Sequence, residues 1–164
     1  MDLLAHYRMM ARYNRIANQR LFEACARVGD HERKQERPGS FGSIHALLNH
    51  MLLGDRIWMD RFEGGGRETP RLNTMLYEDF AELAEARHAE DERIVEYFYG
   101  LNEQFLLIRF PYINSQGKEY EDAAQVVAAH FFNHQTHHRG QVHVMLSQAG
   151  IQPPSLDLHR IISP

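Results

Sequence analysis

The sequence predicts an all-α chain, a single four-helix bundle domain over residues 1–164 with a short hairpin or extended crossover between its third and fourth helices. Three observations point there. Four long stretches repeat their apolar residues at helical intervals, clusters of Gly, Pro and polar residues separate them, and no internal repeat or low-complexity tract breaks the pattern. A chain of 164 residues is also long enough for one substantial core.

The first helix runs from Asp2 to about Arg27 on the spacing of Leu3, Leu4, Tyr7, Met10, Ala11, Ala17, Leu21, Phe22 and Cys25. Gly29, Asp30, Pro38, Gly39 and Gly42 end it and predict a polar connection over 28–42. Within it, residues 31–37 carry mixed charge ahead of Pro38 and read as a solvated loop. Ser40 or Ser43 can cap the second helix, Ser43 to Phe62, whose apolar side is Ile44, Leu47, Leu48, Met51, Leu52, Ile57 and Trp58. Gly64, Gly65 and Gly66 terminate it.

After a loop through Pro70, the third and most polar helix spans about Tyr77 to Leu101. Phe105 to Tyr112 then turns apolar and partly β-branched, Asn114 to Gly117 supply turn residues, and Lys118 to Tyr120 lead back, the pattern of a short hairpin or crossover. The fourth helix runs from Asp122 to Ala149. Pro153 and Pro154 prevent its continuation, and the last ten residues are expected along the surface.

A formal charge of -4 offers no basic surplus to displace phosphate counterions, so no nucleic-acid partner is expected. The single Cys25 excludes an intramolecular disulfide, suits a reducing cytoplasm and, on the apolar side of the first helix, reads as a packing thiol in preference to a nucleophile. Met1 is followed by an acid, no cationic start leads into an apolar run, and no run approaches the ~18 residues of a membrane span. A cytoplasmic protein with no membrane partner is expected.

Four of the eleven histidines fall between His130 and Gln141, and His134 and His138 stand four apart. On a helix that spacing sets both imidazoles on one face, one turn above the other, beside the apolar stripe of Val127, Phe131, Val142, Met145 and Leu146. Two inward imidazoles accumulate desolvation and each needs a partner. A shared metal ion supplies one to both, and is favoured over a hydrogen-bonded core cluster. A third ligand must come from another helix. His50 is preferred over His45, which lies about 140° away round the second helix and cannot face the same ion. Three imidazoles with an open fourth position suit catalytic zinc or nickel, although iron and copper accept the same donors. Gln135, where a zinc protease would carry Glu, excludes that motif. Glu85 and His88 alone have the Glu-x-x-His spacing of a di-iron site, and read as a solvated pair.

A long first helix, a histidine within LLNHMLLGDRIWMDRF and a late NHQTHHRGQV resemble the DinB family, the DinB/YfiT-like metal-dependent bundles, over nearly the whole chain. The resemblance implies one divalent metal ion on His50, His134 and His138, with His130 near the ion and His137 and His143 outside the ligand set. Some relatives of this kind are thiol transferases using bacillithiol, mycothiol or glutathione. The resemblance therefore implies a small-molecule thiol cosubstrate, an electrophilic substrate and a homodimer. Arg139 could bind an acid group of the cosubstrate or make a surface ion pair, and Gly140 suggests a close helix approach. Two other readings stand beside this one. The first is a hydrolase with metal-activated water, for which Asp55 is the nearest acid to serve as base, unless it caps, pairs or faces solvent. The second is a non-catalytic, stress-related metal-binding protein.

Overall fold

Four long helices carry the chain in the computed structural model, which describes residues 2–65, 69 and 71–163. These are α1 (Leu3–Ala26), α3 (Ile44–Phe62), α4 (Phe80–Gly100) and α5 (Ala124–Gln148). Two short helices, α2 (Asp30–Lys34) and α6 (Leu158–Ile162), a 3-10 turn at Glu103–Leu107 and the antiparallel pair β1 (Arg109–Ile113) and β2 (Glu119–Ala123) complete the described elements. The chain is thus mostly helical with one small sheet. Both α1 and α3 pack on α4 and on α5. No described helix is long and apolar enough to cross a membrane.

The starts of three long helices follow from side-chain caps. Asp2, Ser43 and Asp79 each accept a hydrogen bond from the backbone N–H three residues on, at 2.7, 3.1 and 3.0 Å. The third predicted helix consequently begins at Phe80, not Tyr77. Asn49 takes the backbone N–H groups of Leu76 and Tyr77 on its Oδ1 and donates to the Tyr77 carbonyl, which holds that segment extended. Residues 31–37 are likewise not a solvated loop. Residues 30–34 form a helical turn, and Arg33 and Arg37 are buried. Arg33 donates to the carbonyls of Cys25 and Val28 at the C-terminal end of α1, where a cation is favoured.

The predicted hairpin is present with shifted bounds. Phe105 lies in the 3-10 turn, and β2 extends through Ala123, delaying α5 to Ala124. Asp122 stays in the strand, opposite Phe110, and accepts a 2.7 Å hydrogen bond from Tyr112 Oη. Asn114 Oδ1 closes the turn on the N–H groups of Gln116 and Lys118. The last residues do not simply follow the surface, because α6 buries Ile161 against Tyr13 and Ala17. Gly66 and Pro70 lie outside the described residues.

Two apolar clusters occupy the interior. One gathers Leu21, Cys25, Leu48, Leu52, Leu83, Val142 and Leu146, and the other is aromatic, with Tyr7, Phe62, Phe98, Phe105, Phe131 and Phe132. On each long helix the residues between the two are polar and buried: Asn14 and Asn18 on α1, Asp55 on α3, Arg87 and Asp91 on α4, Gln135 and Arg139 on α5. Arg87 pairs with Asp55 at 2.7 Å and with Asp91 at 2.9 Å. Gln135 donates to Asp55, and Asn18 donates to Asp91 at 2.9 Å. This polar layer crosses the interior at the level of the histidines.

Candidate metal centre

His50 comes from α3 and His134 and His138 from α5, and one nitrogen of each lies within 4.8 Å of the other two. The ring centroids are 4.3 Å apart for His134 and His138, 4.8 Å for His50 and His138, and 5.4 Å for His50 and His134. These are the three residues singled out by spacing and resemblance, now brought together by the α3–α5 contact.

Neighbouring groups fix two of the rings. His50 Nδ1 lies 2.9 Å from the Leu72 carbonyl, which can only accept, so Nδ1 carries the hydrogen and Nε2 keeps its lone pair. His138 Nδ1 has the same relation to Gln141 Oε1 at 2.9 Å. Its Nε2 faces His134 Nε2 at 3.1 Å. Burial lowers the pKa of His50 and His138. For His134, burial first and the neighbouring imidazoles second push it down to about 3. At neutral pH the cluster is uncharged, and with the Nδ1 protons of His50 and His138 turned outward only His134 can place a ring proton among the three rings. That donor set fits a divalent cation better than it fits a hydrogen-bonded trio, in which a ring proton would have to bridge each contact. The residues present could therefore hold a metal ion.

Gly54 is what lets α5 bring His134 so near. A Cβ at that position would meet His134 Cε1 at 3.0 Å. Phe41, from the loop before α3, stacks on His50 at 4.0 Å and meets His138 edge-on at 5.4 Å. Beside the cluster opens a cavity of about 290 Å³ whose wall includes His50, His134, Trp58, Arg61, Tyr112 and His130.

The remaining candidates take other places. His130 is on the cavity wall, its ring 6.0 Å from His134, and desolvation lowers its pKa. His45 is fully buried, bonded through Nε2 to the Tyr77 carbonyl at 2.8 Å, and takes no part in the cluster. His137 is exposed and bonded to Gln141, and His143 reaches the Pro154 carbonyl. Arg139 neither faces the cavity nor pairs at the surface. It is buried in the polar layer, donating to Asn14, to Asn18 at 3.1 Å and to Thr136 at 3.2 Å. Asp55 neither caps nor meets solvent; it is fully buried and committed to Arg87 and Gln135. Glu85 and His88 are exposed, and no side chain lies within 4 Å of where Gly140 would carry a Cβ, so no close helix approach explains that glycine.

Sequence reasoning did not find Phe41, Leu72, Arg61, Trp58 or Tyr112 as site residues. Two lie in irregular connections without period, and Trp58 and Arg61 looked like ordinary helix positions. Gly54 had a signal, because a glycine inside an apolar helix costs about 1 kcal/mol against alanine and asks for a packing reason.

The comparisons bear on the family and the fold. Residues 3–164 match the model of the DinB family. The Protein DinB of Bacillus subtilis (strain 168) is 29% identical over 147 residues, covering 84% of this chain and 83% of that one. A crystal structure of a DinB-like protein from Bacillus cereus ATCC 10987 shares the fold, with a TM-score of 0.64 at 17% identity over 85% of this chain and 89% of that one. With three inward histidines on α3 and α5 and a family match spanning nearly its whole length, the chain belongs to the DinB family.

Proposed function

We propose that the chain forms one four-helix bundle domain of the DinB/YfiT type, in which His50, His134 and His138 hold a single zinc or nickel ion. On this reading it is a metal-dependent transferase of low-molecular-weight thiols onto electrophilic small molecules. The observation that carries the reading is the convergence of three neutral imidazoles, two of them on the wall of an open cavity, in a cluster containing no carboxylate. An ion held there supplies the positive charge that favours thiolate over thiol near neutral pH.

The chain's own residues prepare the site. Leu72 and Gln141 set the tautomers of His50 and His138, Gly54 leaves room for His134, and Phe41 covers a face of the His50 ring. Ile57, Trp58 and Tyr112 give the cavity apolar walls for an electrophile. The attacking sulfur belongs to the cosubstrate, since Cys25 is fully buried in an apolar cluster and burial pushes its thiol up to about 12. A second reading, hydrolysis with water activated in the same cavity, is favoured by His130. Kept neutral by its lowered pKa, it can accept a proton there. Asp55 cannot serve as that base. The open cavity speaks against a purely non-catalytic metal site. Homodimer formation belongs to the proposal through the family alone and is read by sedimentation.

The test is metal content by mass spectrometry on untagged protein beside His50→Ala, His134→Ala and His138→Ala, followed by thiol-consumption assays across several thiols and electrophiles. About one ion per chain, lost in each variant, together with metal-dependent thiol consumption is expected. A metal-loaded protein that consumes no thiol but hydrolyses ester or amide substrates would transfer the proposal to the second reading.

A further inference from the structure

Eleven residues after His50, on the same side of α3, stands Arg61. Helix geometry separates their Cα atoms by ~16 Å along the axis and only about 20° around it. Both side chains line the cavity beside the histidines. Arg61 is 5% exposed, yet among the described residues no carboxylate pairs with it.

The guanidinium is instead clamped. Its carbon lies 4.5 Å from the Trp58 ring centroid and 4.6 Å from that of Tyr112, so aromatic rings cover it. Tyr112 is itself fixed by its hydrogen bond to Asp122. Nη2 donates to Thr69 and to the Ile113 carbonyl at 3.2 Å. Nε is buried without a partner, and Nη1 makes no hydrogen bond among the described residues. Burial lowers the Arg61 pKa. Nη2 is spent on Thr69 and Ile113 and Nε is enclosed, so Nη1 is left to donate to a group in the cavity. A guanidinium stacked on aromatic rings donates one charge-assisted hydrogen bond to a carboxylate from a fixed position, which the flexible ammonium of lysine does not reproduce.

We infer that Arg61 is the anchor for a carboxylate on the molecule that enters this cavity, so that the thiol cosubstrate is an acid whose carboxylate meets Arg61 beside Trp58 and Tyr112 while its sulfur lies at the three histidines. The inference rests on the thiol reading for the sulfur end alone; the carboxylate end stands on Arg61 and its clamp. The guanidinium lies over Trp58, one turn back toward His50, which shortens the span such a molecule must cover.

Trp58 is the only tryptophan in the chain and forms part of the clamp, so its fluorescence reports binding directly. Zinc-loaded protein is titrated with mercaptohexanoate, mercaptohexanol and hexanoate, and calorimetry repeats each titration. Wild type should bind mercaptohexanoate roughly tenfold or more tighter than mercaptohexanol, the effect of one charge-assisted contact. Arg61→Gln should erase that preference, so that the two thiols bind alike. Arg61→Lys, which keeps the charge and so decides the matter if Arg61→Gln does not fold, should retain only part of it. Equal binding of the two thiols to wild type, or an undiminished preference in Arg61→Lys, overturns the anchor and leaves the thiol reading intact. If neither thiol binds, the thiol reading fails. Hexanoate then judges the anchor: binding lost in the Arg61 variants keeps it, and no binding to wild type ends it.

Discussion

Two buried polar constellations sit at the same level of the molecule, side by side along the contact of α3 with α5, and they solve desolvation in opposite ways. In the layer around Arg87 each acid meets a cation: Asp55 and Asp91 flank the guanidinium, Gln135 donates to the second Asp55 oxygen, and Asn18 donates to the Asp91 oxygen that Arg87 pairs with. The histidine cluster brings three like donors together and contains no acid. The first pairs its acids within the protein, although Asn14 Nδ2, Arg87 Nε, Gln135 Oε1 and Arg139 Nε keep no hydrogen-bond partner there, and the second calls for something from outside. Adjacent residues are assigned to the two: His134 and Gln135, His138 and Arg139, Gly54 and Asp55 point one to each. Ion pairs and hydrogen bonds of this layer join four helices, and that rigidity holds the histidine site in shape.

The largest expected effect breaks the paired side. Arg87→Met leaves two buried carboxylates without their cation and should cost about 3–5 kcal/mol in denaturant unfolding. A loss below about 1 kcal/mol would mean that the layer is not the brace described. Breaking the open side should act through the ligand. At a free metal concentration about a thousandfold above its dissociation constant, binding contributes about 4 kcal/mol, so a chelator should lower the melting temperature of wild type clearly. The same treatment should leave His134→Ala unmoved, and a chelator shift of equal size in that variant would place the ion elsewhere.

A smaller change sharpens the contrast at one atom. Gly54→Ala puts a methyl 3.0 Å from His134 Cε1. Metal affinity measured by competition with a chromophoric chelator should fall about 10- to 100-fold, the usual range for disturbing a ligand's support, while the metal-free fold persists. Unchanged affinity would show that His134 has room to move.

The smallest effect is the pH dependence of the metal-free protein, where the two regions pull in opposite directions. His134 is held at about 3 when folded, against about 6.5 in the unfolded chain. As pH falls below about 6.5 the unfolded chain takes up a proton that the folded one refuses, so this contribution to stability declines toward about 3. Burial holds Asp55 and Asp91 up at about 6, so the folded chain protonates first. Their contribution therefore grows as pH falls from about 6 to about 4. Denaturation midpoints from about pH 7 to 5 should fall less in His134→Ala than in wild type. A steeper fall in the variant would contradict the sign assigned to His134.

Much of this was legible in the residues. Helical spacing located all four long helices to within about three residues, because apolar periodicity and capping are local. The pair His134 and His138 was visible for the same reason, and His50 followed from its place in an apolar helix together with the resemblance. Misreadings arose where long-range bonds overrode local pattern. Asn49 holds the segment before Phe80 extended, and the carbonyl ends of α1 draw Arg33 inside from what looked like solvated charge. Arg139 and Asp55 were weighed as site or surface residues because a sequence gives their angle around a helix but not what the next helix presents to it.

The sequence by itself determined the helices, the metal-type donors and their shared face, since each depends on separations of a few residues along one chain segment. Only the tertiary structure decided which polar residues would satisfy one another and which would be left facing a cavity. That choice rests on side chains many residues apart, Arg87 with Asp55, His138 with His50, Arg61 with Tyr112, and such contacts are set by distance in space.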